Sequence, residues 1–304
     1  MLARAEMLSS AEESLLSVLA CPLCKGVLSR SGDRLGCASC ARDFARDRGY
    51  WSLLSDEAQQ ALKGGGDRAW SNWREALEGL ERWRERNASR ASGSGATAKS
   101  DGSDDALTRA LIDRALGDRA GLIVDVGAKD GRMRALAPSR CEYIGVDPMP
   151  RGDGSVLRAV AEALPLRDRC AQLVLCHAAF DYFVDPSAAL LEMHRVLAPG
   201  GALALVVSTM TASVAHARGA SSRVERVLGV LRASSAIGAK GASQLLGEAI
   251  AGQRAHVRFY TRAQVMGLVG VRFDVSEVRE VSQPASTILY VHGTKRTQRK
   301  LKVL

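Results

Sequence analysis

Residues 122–136, LIVDVGAKDGRMRAL, decide how this chain is read. An apolar, β-branched run closes on Asp125 and Gly127, a polar turn follows, and RMRAL begins a helix-like pattern. In open α/β sheets, a strand, tight turn and helix place a ligand at the carboxyl end of the strand. Lys129 nevertheless stands where a dinucleotide turn carries its second glycine, so the G-x-G-x-x-G spacing is missing and the turn does not read as an NAD site. Lys129 is expected to point its side chain to solvent, while Asp130 and Gly131 carry the chain into the helix.

Outward from this turn, apolar runs alternate with helical patterns. DALTRALIDRAL precedes it as a helix; YIGVDP, LRAVAE, AQLVLCH and ALALVVST read as strands, with helix PSAALLEMHRVL between the last two. This predicts an α/β fold over residues 105–295, a doubly wound and mostly parallel sheet covered on both faces. Helix TRAQVMGLVG and strands RFDVSEVREV and STILYVHGT close the domain, the two strands as an antiparallel edge pair. Between Asp147 and the next strand lie only about eight residues, too few for a crossover helix, which takes a dozen or more. Residues 211–252, rich in Ala, Gly and Ser, read as an inserted helical lid.

The residues able to carry chemistry fall at successive strand ends: Asp125 and Gly127, then Asp147 with Pro148 and Met149, then Ala161 and Glu162, then His177 to Asp181. Asp147, about 20 residues past the turn, is placed to accept hydrogen bonds from two ribose hydroxyls. Glu162 and Asp181 fit a solvated carboxylate or helix cap as well as they fit a ligand role. His177 is either a satisfied structural histidine or a general base, since imidazole titrates near neutrality.

Two Cys-x-x-Cys pairs, Cys21/Cys24 and Cys37/Cys40, stand twelve residues apart. Joined by a hairpin they supply four thiolates for tetrahedral Zn²⁺, whereas disulfides suit a reducing compartment poorly. Gly26 is expected to give the first knuckle its tight turn. Cys141, Cys170 and Cys176 read as small buried hydrophobes. The chain then divides into a zinc ribbon at 1–55, a helical connector at 56–86 broken by glycines, a flexible Gly/Ser/Ala linker at 87–104, the α/β domain, and a basic tail at 296–304.

A net charge of +9 invites a nucleic-acid partner, but most of the excess is scattered arginine. The one dense cluster is the terminal TKRTQRKLK, and no aromatic platform accompanies it for stacking bases. No apolar run reaches the length of a membrane span and no secretory signal opens the chain, which places it in the cytoplasm.

Residues 105–295 resemble the class I S-adenosylmethionine-dependent methyltransferases. The resemblance is carried by VDVGAKDGRM, YIGVDP, AEALPL and FDYFVDPSAALLEMHRVLAPGGALAL, in which Pro199, Gly200 and Gly201 lead into the fifth strand. It implies a Rossmann-like methyltransferase fold, with S-adenosylmethionine held by Asp125, Gly127, Asp147, Pro148, Met149, Ala161, Glu162 and His177. In this family the first turn needs one glycine, matched by Gly127. Val160 stands where many relatives have an aspartate that accepts from the adenine amino group, which leaves adenine to the backbone and to Met149. The resemblance also implies catalytic candidates among His177, Asp181, His256 and Tyr260, although Tyr182 replaces the histidine of an acid–His pair common in relatives. Residues 21–54 resemble the small zinc-ribbon activators that pair with methyltransferases and, less closely, the ribbon of bacterial rRNA guanine-N1 methyltransferases.

Together these features imply methyl transfer to a hydroxyl, amine or carbon of a small-molecule or lipid-like acceptor. The alternatives are an rRNA or tRNA base methyltransferase that grips RNA phosphates through ribbon and tail, and a non-catalytic S-adenosylmethionine-binding scaffold, suggested by Lys129 and Val160.

Overall fold

The structure, a computed structural model, describes residues 10–94, 102–151, 156–210, 224–225, 227–232, 246, 257–283 and 286–297. Helix α1 (Ser10–Val18) leads into a four-stranded antiparallel sheet of β1 (Leu28–Ser31), β2 (Arg34–Cys37), β3 (Arg42–Asp47) and β4 (Tyr50–Trp51), in that order. Helix α2 (Asp56–Leu62) starts at Ser55, whose hydroxyl accepts from Ala58 N–H and satisfies one of the free donors of the first turn. Gly64 and Gly66, at φ 93° and 94°, reverse the chain into α3 (Arg68–Ser94). The helix therefore continues through residues 87–94, where the composition predicts a flexible linker; Ala88, Arg90 and Ala91 are strong helix formers and offset the serines and Gly93. The next helix, α4, already begins at Gly102 (Gly102–Leu116).

The main sheet has seven strands, β5 (Gly121–Val126), β6 (Cys141–Asp147), β7 (Val156–Arg158), β8 (Ala171–His177), β9 (Leu197–Thr209), β10 (Phe273–Ser282) and β11 (Thr287–Lys295), in the order β10-β11-β9-β8-β5-β6-β7. Strands β5 to β9 are parallel, and β11 runs antiparallel to both β9 and β10. The chain winds outward from β5 to β7, then crosses back to β8, so the switch in strand order lies between β5 and β8. Two connections are compressed. The turn after β5 leads only into a 3-10 turn at Arg132–Leu136, where RMRAL predicts a helix, because Pro138 and the start of β6 follow within a few residues. Segment 148–155, between β6 and β7, is too short for a helical crossover.

Residue parity sorts the core into two layers. Leu173 and Leu175 of β8, with Ala202, Ala204 and Val206 of β9, face Leu111, Ile112 and Leu116 of α4. Val174 and Cys176, with Leu203, Leu205 and Val207, face the opposite layer, which holds α5 (Pro186–Val196) and α6 (Arg262–Gly270). Asp185 caps α5 by accepting from Ser187 and Ala188 N–H. Most of segment 211–252, expected as a lid, lies outside the described residues, as does His256. Among the described residues no helix is long and apolar enough to cross a membrane.

The cysteine-bearing sheet packs on this core as part of it. Leu19, Leu28, Leu35, Phe44, Trp51 and Leu53 share one buried cluster with Leu157, Leu164 and Leu166 of the α/β domain. Backbone bonds stitch the seam: Leu53 N donates to Arg158 O (2.8 Å), Ala20 N to Pro165 O (3.0 Å) and Arg167 N to Val18 O (2.9 Å). The Lys25 ammonium donates to Glu192 of α5 (2.6 Å) and to the Leu164 carbonyl (3.2 Å). Burial pushes the Glu192 carboxyl up, but hydrogen bonds from Arg195 and Lys25 outweigh it and hold it below the usual range.

Candidate metal centre and cofactor cleft

The sulfurs of Cys21, Cys24, Cys37 and Cys40 lie within 4.8 Å of one another. Zinc at about 2.3 Å from each sulfur separates tetrahedral ligands by about 3.8 Å. The cross-knuckle distances are close to that, 3.7 Å for Cys21–Cys40 and 3.4 Å for Cys24–Cys37. The tight turns are made by Lys25 (φ 60°) and Ala41 (φ 55°), each directly after its pair. Gly26 serves another purpose than the turn expected of it: a Cβ there would meet Ser39 Oγ at 2.5 Å and Cys37 Sγ at 3.1 Å. Cys141, Cys170 and Cys176 do not join this group; Cys176 within β8 is buried as expected, whereas Cys141 at the start of β6 and Cys170 before β8 are only half-buried.

A second site lies at the carboxyl ends of β5, β6 and β7. It is a cavity of ≈ 80 Å³ lined by Gly127, Asp147, Pro148, Met149, Ala161 and Glu162 of the α/β domain, together with Val160, Lys129 and Ala178. Asp147 is oriented by its neighbours' backbone: Lys129 N donates to Oδ2 (3.0 Å) and Met149 N to Oδ1 (2.8 Å). Both oxygens are thereby fixed in the lining of the cavity. Gly127 has φ 85°, and a Cβ there would come within 2.1 Å of Ala179 Cβ, so the glycine is required by the first βα turn itself.

The fourth wall comes from α3. Trp73, Leu77, Leu80 and Glu81 cover the cavity, and Trp73 and Leu77 pack in one apolar cluster with Val160 and Met149. Lys129 does not turn to solvent as expected. Its ammonium stands 3.9 Å from Glu81, which also forms an ion pair with Arg151, so the substituted turn faces α3.

Other expected site residues lie elsewhere. Asp125 is buried beneath the turn and accepts from the Tyr143 hydroxyl (2.5 Å); burial pushes its carboxyl up to about 6 despite that bond. His177 points to the α4 face, its Nε2 3.3 Å from Asp104 Oδ2, an ion-pair contact rather than a well-aligned hydrogen bond. Asp104 also accepts from the Tyr290 hydroxyl (2.6 Å), and His177 with this bond holds its carboxyl down at about 2. Glu162 lines the cavity, but its Oε1 accepts from Val184 N (2.7 Å) and Asp185 N (3.2 Å), the capping role weighed for it. Asp181 and Tyr260 lie on the opposite layer from His177. Asp181 is buried and its carbonyl accepts from Arg258 N (3.0 Å), while the Tyr260 ring packs 5.1 Å from Phe180. The Tyr260 hydroxyl has no hydrogen-bond partner among the described residues.

Trp73, Leu77, Glu81 and Asp104 were not foreseen as site residues. They come from helices whose spacing reads as ordinary packing, and only their distant partners, β6 to β8, give them another role.

Comparison with known proteins places the central segment. Residues 124–205 match a family model described as a methyltransferase domain. An uncharacterized methyltransferase-like protein of Schizosaccharomyces pombe is 33% identical over 138 residues, covering 41% of this chain and 52% of that protein. An uncharacterized methyltransferase of Mycobacterium tuberculosis is 37% identical over 109 residues, covering 32% and 44%. The chain thus spans about half the length of the curated relatives it matches. Among solved structures, a SAM-dependent methyltransferase from Thermotoga maritima overlaps with a TM-score of 0.42 at 20% identity, covering 73% of this chain and 100% of that one. The seven-stranded sheet built around residues 124–205, the segment that matches the methyltransferase-domain model, has the Rossmann-like methyltransferase fold.

Proposed function

We propose that the chain is an S-adenosylmethionine-dependent methyltransferase for a small-molecule or lipid-like acceptor, with a zinc ion held by Cys21, Cys24, Cys37 and Cys40. The cleft at the carboxyl ends of β5 to β7 carries this reading. It sets a carboxylate held by two backbone N–H groups, Asp147, beside a close backbone turn and an apolar wall. That lining fits a ligand with a ribose, a flat base and a charged amino-acid end. The cofactor supplies a methyl group already activated on sulfur, so the protein's part is chiefly alignment and exclusion of water.

Asp147 holds the ribose hydroxyls, and Gly127 lets the first turn lie against the cleft. His177, the base candidate of the sequence, faces α4 and Asp104 outside the cleft lining, so no general base is assigned. A small acceptor is favoured because α3 closes over the cleft, where an extended nucleic acid needs an open approach. The test incubates the full chain with methyl-labelled S-adenosylmethionine and either a metabolite extract or total rRNA. Label is expected in the small-molecule or lipid fraction. Label in rRNA would replace the acceptor class, and label in neither, with cofactor binding intact, would leave a binding scaffold.

A further inference from the structure

We infer that Trp73 and Leu77 of α3 form the wall against which the adenine base of the cofactor packs, so that the connector helix is a working part of the binding site. This rests on the S-adenosylmethionine reading of the cleft. The helix lies outside residues 124–205, the segment matched to the methyltransferase family, so its contribution belongs to this chain's own architecture.

Asp147 divides the cleft into two chemically different ends. Toward the β5 turn stand Lys129, Glu81 and Arg151, a charged group. Toward β7 stand Met149 and Val160, with Trp73 and Leu77 opposite them. A ribose held at Asp147 carries its base on one side and a zwitterionic amino acid on the other. The charged end suits the amino acid and the apolar end suits the flat, uncharged base. Val160 is 2% exposed and offers no side-chain acceptor, so base binding here depends on apolar and aromatic contact. The indole of Trp73, 3% exposed, is the largest such surface, and Trp70 fixes it in a T-shaped contact at 5.1 Å.

The test titrates the full chain with S-adenosylhomocysteine by calorimetry and by tryptophan fluorescence. Trp73→Ala is expected to weaken binding by roughly tenfold or more, the scale of one lost base–aromatic contact. Trp73→Phe keeps an aromatic face and most of the affinity but loses the ligand-induced fluorescence change, which Trp70→Phe retains. Unchanged affinity in folded Trp73→Ala, or a fluorescence response surviving in Trp73→Phe, overturns the inference. Should Trp73→Ala fail to fold, the fluorescence of Trp73→Phe decides alone. A wild-type chain that does not bind S-adenosylhomocysteine refutes the cofactor reading itself, a separate failure.

Discussion

The backbone N–H of Leu53 donates to the carbonyl of Arg158 across 2.8 Å, and this bond lays the end of the cysteine-bearing sheet along the outer edge of β7. An uncovered edge strand presents unpaired backbone groups, and here the N-terminal sheet satisfies them. The same segment continues through Leu54 into α2 and α3, so the cysteine cluster, the β7 edge and the cofactor cleft are mechanically linked.

The first consequence concerns metal. The chain is expected to carry one zinc ion by elemental analysis, and Cys37→Ser is expected to destabilise the whole protein in a single transition. A loss of roughly 3 kcal/mol lowers the melting temperature of a domain this size by about 6–12 °C. Two separate transitions, the upper one unchanged, would show that the shared cluster joining Leu19, Leu35 and Leu53 to Leu164 and Leu166 does not couple the two parts.

Asp147→Ala is expected to weaken S-adenosylhomocysteine binding by about tenfold to a hundredfold, since a hydrogen bond to a charged group contributes roughly 1.5–3 kcal/mol. The variant also frees Lys129 and Met149 N–H, so Asp147→Asn, which keeps one acceptor oxygen, should fall between it and wild type. Calorimetry showing wild-type affinity for both would remove Asp147 from the site.

Gly127→Ala tests the turn. The substitution forces an L-residue to φ 85° and places its Cβ against Ala179, so a loss of about 2 kcal/mol or more is expected, with weaker cofactor binding. An alanine variant with the melting temperature and affinity of wild type would mean the turn relaxes freely.

Asp125 gives a pH signature. Its folded carboxyl is raised from 3.8 to about 6, so the folded state binds a proton that the unfolded state lacks between those values. Stability from this group is therefore gained as pH falls through 6 toward 4, and absent above it. The melting temperature of wild type relative to Asp125→Asn should rise over that window; a difference independent of pH would place Asp125 outside this linkage.

Substrate binding is expected to depend weakly on salt. An RNA acceptor held by six or more phosphate contacts would instead lose roughly a thousandfold in affinity between 50 and 200 mM salt. A steep slope of that kind, lost on deleting residues 296–304, would favour the RNA enzyme.

Much of the central domain was legible in the chain itself. Strand ends at Asp125, Asp147 and His177 follow from apolar runs that stop at a polar residue, and the period of two in β8 and β9 already sorts Leu173 and Leu175 from Val174 and Cys176. The four cysteines declare their own grouping by spacing, because two short knuckles on one hairpin must converge. These are local properties, decided by neighbours a few residues apart.

Long-range packing decided the rest. Composition marks residues 87–104 as a divide, yet the segments before and after it share one core, since Leu19 and Leu53 can bury themselves only against β7 and the strand-linking residues Leu164 and Leu166. Lys129 reads as a surface lysine until Glu81, 48 positions earlier, is brought above it. Trp73 and Leu77 have the spacing of any amphipathic helix, and only the tertiary arrangement sets that face over Val160 and Met149. Helical periodicity states that a face must be buried; which surface buries it is chosen by the fold as a whole.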